Sequence, residues 1–320
     1  MIVVTGGAGF IGSCLISRLN EEGIYDIIVV DHLGKENKWI NLAGKRLTRY
    51  YHKDDFRIDL YGDAFEEIDA IIHLGACSAT TERDADYIMD NNLNYSIDLA
   101  EYSLKNDIKF MYASSAATYG NGSMGYSDKD VLGFRPLNAY GLSKQLFDQW
   151  AEDQGVLDKM IGLKFFNVFG PNEYHKGSMA SMVYKSFNQI KESGKVKLFR
   201  SNDSKYPDGG QMRDFVYIKD CVDVMWSMIK TEGIGGIYNL GTGKARTWND
   251  LIGAVFQAMG LPTNIEFVDM PADLKNQYQN FTEADMDKLT KSPAKHSFMS
   301  LEDAVKDYVQ NYLLKDWQYM

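Results

Sequence analysis

The chain has 320 residues, 45% hydrophobic and 24% charged, which excludes a disordered or low-complexity protein and leaves room for about two domains. Lys and Arg number 34 against 44 Asp and Glu, a net charge of −10. The broad cationic surface that attracts nucleic acid or anionic lipid is therefore missing, although small basic pockets are still allowed.

Ile2 to Thr5 reads as a buried strand, and Ile11 to Glu22 as a helix ended by Gly23. Between them lies Gly6-Gly7-Ala8-Gly9-Phe10-Ile11-Gly12. Glycines at this spacing permit a tight turn and close approach of backbone to a pyrophosphate, and the helix start offers unpaired N–H groups to the anion. Ile27 to Asp31 forms the next strand and ends on an acid 19 residues beyond Gly12, where a carboxylate can accept from an adenosine ribose. Asp31 by itself favours NAD. Lys38 and Lys53 are placed to compensate a 2′-phosphate or simply to be solvated, so NADP stays open.

A strand at Ala70 to Leu74, a long helix from Asp84 to Asn106, and strands at Phe110 to Ser114 and Leu163 to Val168 complete the alternation. Continuous apolar strands separated by helices indicate an α/β, doubly wound parallel sheet. Ser115 follows a strand end, where open sheets of this kind place ligands. Tyr140 and Lys144 in Tyr140-Gly141-Leu142-Ser143-Lys144 are stacked at i and i+4 on one helix face. An adjacent ammonium, helped by the positive ring of an oxidised nicotinamide, is expected to lower the phenol's pKa so that Tyr140 exchanges a proton with a substrate hydroxyl, with Ser115 orienting the same oxygen.

Beyond Pro171 the segments shorten and become more polar, with turns from Ser201 to Gln211, a strand at Gly236 to Leu240, and a helix start at Thr247-Trp248-Asn249-Asp250. A smaller lobe interleaved with the core is expected. Cys14, Cys77 and Cys221 lie far apart, with no CxxC and no zinc-ligand spacing, so reduced thiols in a cytoplasmic protein are expected, and no metal. The first basic residue is Arg18, and no apolar run approaches the roughly 18 residues of a membrane span, so neither a leader nor a membrane partner is expected.

The segments TGGAGFIG at 5–12, ASSAATYG at 113–120, YGLSK at 140–144 and YNLGTG at 238–243 resemble the extended short-chain dehydrogenase/reductase family, with its NAD-dependent epimerases and dehydratases. The resemblance implies a Rossmann-type fold, with residues 1–167 and 216–243 binding NADP and a smaller α/β lobe, 168–215 and 244–320, binding the sugar nucleotide. Dehydratases of this family carry an Asp-Glu pair after the catalytic hydroxyl, whereas Ala116 and Ala117 stand there in this chain. Cys77 to Glu82, Phe166 to Pro171, His175 to Ser181, Arg213 to Tyr217 and Gln277 to Thr282 are similar to the branch that epimerises an ADP-linked heptose, a lipopolysaccharide inner-core precursor in Gram-negative bacteria.

That resemblance implies Tyr140 and Lys176 as two acid/bases, with Lys144 holding the nicotinamide ribose and Ser115 assisting. It implies a cofactor site of Gly6, Gly9, Phe10, Ile11, Gly12, Asp31, His32, Lys38, Lys53, Asn91 and Val168, together with Leu74, Gly75, Ala76, Cys77 and Ser78. Asn167, Ser178, Lys185, Phe199, Arg200, Ser201, Asn202, Arg213 and Tyr278 would contact the ADP-sugar. NADP is the family's common cofactor, and a homo-oligomer, a pentamer, its common assembly. His32 replaces a familiar Asn, Lys185 stands where some members have His, and the loop from Lys205 to Gln211 is longer than in some. Lys176 is also readable as a diphosphate-binding cation.

The chemistry explains why two acid/bases suit this task. A secondary carbinol C–H is too weak an acid for direct deprotonation, so inversion requires oxidation to a ketone and return of hydride to the other face, with the cofactor retained. The rivals are a UDP-hexose 4-epimerase, which shares Ser, Tyr and Lys but not His175 to Ser181, and a non-catalytic nucleotide-binding regulator, which would not need both Tyr140 and Lys144. Because both ligands are polyanions, His175, Lys176, Lys185 and Arg213 are expected to form a basic island on an acidic surface.

Overall fold

The computed structural model describes residues 1–62, 65, 67–271 and 278–320. Gln277, part of one of the segments above, lies outside the described residues. The first half builds β1 (Ile2–Thr5), α1 (Phe10–Glu21), β2 (Ile27–Asp31), β3 (Arg49–His52), α2 (Lys53–Tyr61), β4 (Ala70–His73), α3 (Ala85–Ile88), α4 (Tyr95–Lys105), β5 (Lys109–Ser115), α5 (Ala139–Asp153) and β6 (Met160–Phe165). The second half adds β7 (Asn167–Phe169), α6 (Met182–Ser193), β8 (Val196–Phe199), β9 (Met212–Tyr217), α7 (Ile218–Lys230), β10 (Gly236–Leu240), β11 (Ala245–Thr247), α8 (Trp248–Ala258), β12 (Ile265–Val268), α9 (Asp287–Lys291) and α10 (Leu301–Tyr308).

Seven strands form one parallel sheet in the order β10-β6-β5-β4-β1-β2-β3. Strand order reverses between β1 and β4, which opens a crevice at their carboxyl ends where α/β sheets bind ligands. β1, β2, β4 and β6 are buried along their whole length, because helices cover both faces. A continuous apolar cluster runs from Val4 and Leu15 through Phe187, Met225 and Val255 to Val305. Two smaller sheets, β11-β9-β7 and β12-β8, complete the strands. No helix among the described residues is long and apolar enough to cross a membrane.

Two expectations are corrected. The strand placed at Leu163 to Val168 is two strands: β6 ends at Phe165, Phe166 donates its N–H to Leu240 O at 3.1 Å, and β7 leaves for another sheet. The helix placed at Asp84 to Asn106 is interrupted at Met89–Asn94 by π-type turns, a local widening common at functional sites. It turns buried Asn92 toward the Cys77 segment, where its side chain accepts from Cys77 N–H at 2.8 Å and donates to Cys77 O at 3.0 Å. The sequence pattern carries no signal for β3: Arg-Tyr-Tyr-His is a polar edge strand, recognisable by its register with β2. The helix start at Thr247 is as expected, a reciprocal capping box with Asp250. The three cysteines are free.

Candidate active site

The crevice is a cavity of ≈ 880 Å³. Its floor is the glycine turn. Gly6 has φ +66°, and a Cβ there would lie 2.6 Å from Gly75 N; at Gly12 it would lie 2.3 Å from Gly6 O. Only glycine permits this contact between the turn after β1 and the segment after β4. Gly9 caps α1 without a side-chain hydrogen bond, so the first N–H groups of the helix stay available for an anion. Asp31 is buried and organised: Oδ2 accepts from Ala8 N–H at 2.8 Å, while Oδ1 accepts from His32 N–H at 2.6 Å and from the Lys38 ammonium at 2.5 Å. Lys38 is therefore held by Asp31, and Lys53 is paired with Asp54 at 3.0 Å. His32 Nδ1 lies 2.9 Å from His52 Nε2 at the same end of the cavity. An uncapped helix start, a turn closed to any Cβ and clustered cations fit a dinucleotide phosphate.

One wall carries Ser115, Tyr140 and Lys144. Ser115 ends β5, and its Oγ accepts from Ala117 N–H at 3.1 Å. Asn138 caps α5 by accepting from Gly141 N–H at 2.8 Å, which places Tyr140 in the first turn and Lys144 one turn on. The Ser115 hydroxyl bonds to Tyr140 and opposes the effect of burial, which raises the phenol above its ordinary range. Among the chain's own groups, burial is the largest influence on Tyr140, and it acts opposite to the lowering expected with a cationic nicotinamide in place. Burial pushes Lys144 itself down to about 8, against the pull of Asp148.

The second lysine comes from a different kind of element. Lys176 sits in a short turn, Tyr174–Met179, kinked at Gly177 with φ 52°. Buried Glu173 closes the base of this turn by accepting from Ser181 N–H at 2.5 Å and Ser181 Oγ at 2.7 Å. Asn41 ties it to the glycine turn, donating to Ala8 O at 2.9 Å and Asn172 O at 3.1 Å, and contacting His175 Nδ1 at 3.2 Å. Burial lowers Lys176, the Glu173 carboxyl opposes this, and Lys185 adds to it. Burial also pushes His175 down to about 4, so it is neutral at pH 7 and drops out of the expected basic island.

Every residue expected to meet the cofactor, from Gly6 to Lys176, lines this cavity, as do Ser115 and Asn167. Ser178, Lys185, Phe199, Arg200, Ser201, Asn202, Arg213 and Tyr278 are not among its lining residues. Lys185 donates to Ser178 O at 2.5 Å, Arg200 pairs with Asp208 at 2.8 Å, and Ser201 N–H donates to Asp208 Oδ1 at 2.8 Å. Arg213 donates to Gln279 O and lies over Tyr278, with its carbon 5.2 Å from the ring centre, and over Trp248 at 5.7 Å. Trp248, Tyr87 and His52 line the cavity although no sequence motif singled them out. Trp248 could have been found from the helix start it occupies, whereas Tyr87 and His52 gave no local signal.

A parallel-sheet dinucleotide crevice with Ser, Tyr and Lys on one wall and a second lysine on a separate turn defines a class of nicotinamide-dependent enzymes. The chain belongs to the NAD dependent epimerase/dehydratase family, which it matches over residues 2–241. It is 55% identical over 316 residues, 98% of each chain, to the ADP-L-glycero-D-manno-heptose-6-epimerase of Nitratidesulfovibrio vulgaris (strain DP4). It is 49% identical over 332 aligned positions, 100% of both chains, to the enzyme of that name from Fusobacterium nucleatum subsp. nucleatum. The crystal structure of the Helicobacter pylori enzyme of that name superposes with a TM-score of 0.81 at 28% identity, over 97% of this chain and 95% of that one.

Proposed function

We propose that the chain converts ADP-D-glycero-β-D-manno-heptose to ADP-L-glycero-β-D-manno-heptose by inverting C6 of the heptose. The observation that carries this reading is the full-length similarity to epimerases of that name, at 55% identity over 98% of the chain. Tyr140 and Lys176 lining one cavity support it, since inversion asks for an acid/base toward each orientation of the carbon. The residues of the glycine turn and the Asp31 end would hold a nicotinamide cofactor, which when bound would supply reversible hydride transfer at the carbinol carbon. Burial raises Tyr140 and lowers Lys176, so Tyr140 Oη holds its proton while Lys176 Nζ releases its own more readily. Lys176 Nζ, neutral at the outset, would take the hydroxyl proton in the oxidative half, Tyr140 Oη would supply one to the forming alkoxide in the reductive half, and transfer of a proton from Lys176 to Tyr140 through solvent would reset the pair. Ser115 would hold the phenol, and Lys144 would hold the nicotinamide ribose.

Lys38 and Lys53, beside Asp31 and lining the same end of the cavity, support NADP as the cofactor, since their ammonium groups can turn to a 2′-phosphate. Residues 1–167 with 216–243 would carry the cofactor, and 168–215 with 244–320 the sugar nucleotide. A cytoplasmic homo-oligomer is the setting we infer for a biosynthetic enzyme of this kind. The test is incubation with ADP-D-glycero-D-manno-heptose followed by chromatography. Appearance of the 6-epimer is expected; conversion of UDP-glucose in its place would overturn the assignment. Mass spectrometry of the extracted cofactor should show NADP.

A further inference from the structure

Beneath Tyr140 and Lys144 lies an ion pair that the chemistry above does not use. Asp148 and Lys164 are both 0% exposed, with Lys164 Nζ 2.7 Å from Asp148 Oδ2. Replacing such a pair by apolar side chains is often neutral or stabilising, so stability alone is a weak reason for its presence. Its connections are specific. Asp148 Oδ1 accepts from Tyr112 Oη at 3.1 Å, and Oδ2 accepts from Ser114 Oγ at 2.7 Å. Lys164 also donates to Thr118 Oγ1 at 2.7 Å, and Thr118 Oγ1 donates to Ser115 O at 2.8 Å. Tyr140, Lys144 and Asp148 follow one another at i, i+4 and i+8 along one face of α5. The strand end that presents Ser115 and the helix that presents Tyr140 and Lys144 are thus both referred to one carboxylate.

We propose that Asp148, held by Lys164, is a positioning residue for the reaction: one turn beyond Lys144 on α5, it fixes the Ser115 turn against the helix face that presents Tyr140 and Lys144. The groups around Lys144 bear this out. Tyr140 and Asp148 flank it on α5, and His73 on β4 is buried and neutral, pushed down to about 3 by burial with Lys144 adding to the effect. Cys77 acts on the neighbouring Tyr140. Among the described residues, the Asp148 carboxylate raises Lys144 against the burial that lowers it. Lys164 faces Asp148 from β6, with Tyr119 and Phe134 rings 5.0 and 5.6 Å from its Nζ.

This rests on the roles given to Tyr140 and Lys144, so the deciding measurement needs no substrate. The full chain is trace-acetylated with acetic anhydride from neutral to alkaline pH, and the Lys144 peptide is followed by mass spectrometry. In the double variant Asp148→Asn/Lys164→Met, which leaves no unpaired buried charge, the Lys144 titration midpoint should fall by about one pH unit. The thermal midpoint should stay near that of the wild type. Asp148→Glu, which keeps the charge but displaces it, should hold the Lys144 midpoint and lower kcat with KM little changed. A Lys144 midpoint unmoved in the double variant overturns the proposal, because a purely structural pair would behave that way. If the double variant does not fold, Asp148→Glu decides: a Lys144 midpoint lowered despite the retained carboxylate overturns it. Loss of epimerisation by wild-type protein would instead fall on the functional reading and leave this readout intact.

Discussion

Tyr140 and Lys176 line the same cavity from very different platforms. Tyr140 stands on a 15-residue helix with a side-chain N-cap, backed by buried strands and a fully buried ion pair. Lys176 stands on a six-residue kinked turn whose closure depends on one buried carboxylate, Glu173, and one buried amide, Asn41. Precision in the first comes from regular structure, and in the second from a few polar side chains that satisfy backbone groups no helix or sheet pairs. The second platform should therefore be the more easily disturbed by a single change.

The strongest way to separate the two is to remove each proton carrier. Tyr140→Phe and Lys176→Met should each lower kcat by about 10²–10⁴ while leaving bound cofactor unchanged by absorbance. A Lys176→Met variant that epimerises at the wild-type rate would leave Lys176 as a diphosphate-binding cation. Glu173→Gln comes next. It leaves the donors of Ser181 facing a poorer acceptor, at a cost of about 1–3 kcal/mol, visible as a lower thermal midpoint. Since the Glu173 carboxyl raises Lys176, its loss should also move the acidic limb of the pH–rate profile to lower pH. An unmoved limb and an unmoved midpoint together would break the contrast between the platforms.

The smallest effect concerns two histidines, one in each region. Burial pushes His73 down to about 3 and His175 down to about 4. Both remain neutral in the folded chain while their unfolded counterparts gain protons below pH about 6.5. Stability should therefore decline as pH falls from about 6.5 toward 4, by at most about 1.4 kcal/mol per unit for each histidine. His175→Asn should flatten that slope in denaturant titrations at several pH values. An unchanged slope would assign the effect to the core histidine alone.

Much of this was legible in the chain itself. The glycine turn, β1, β2, the Tyr140–Lys144 spacing and the Thr247 cap are local patterns, and local patterns survive being read without a partner. What escaped depends on partners far away in sequence. β3 has no apolar alternation and exists through its register with β2; β6 ends at Phe165 because Phe166 bonds to Leu240. Arg200 and Ser201 meet Asp208, and Arg213 meets Gln279 and Tyr278, pairings between residues separated in sequence that no local pattern announces.

By itself the sequence determined a dinucleotide crevice, the helix face carrying Tyr140 and Lys144, and the family, since each follows from residue types at fixed short spacing. Only the tertiary structure decided the direction of Tyr140's shift, the neutrality of His175, and the joining of Asp148 to Lys164 and of Asn41 to the Lys176 turn. Burial and long-range pairing set those quantities, and both are properties of the folded environment, not of any segment read alone.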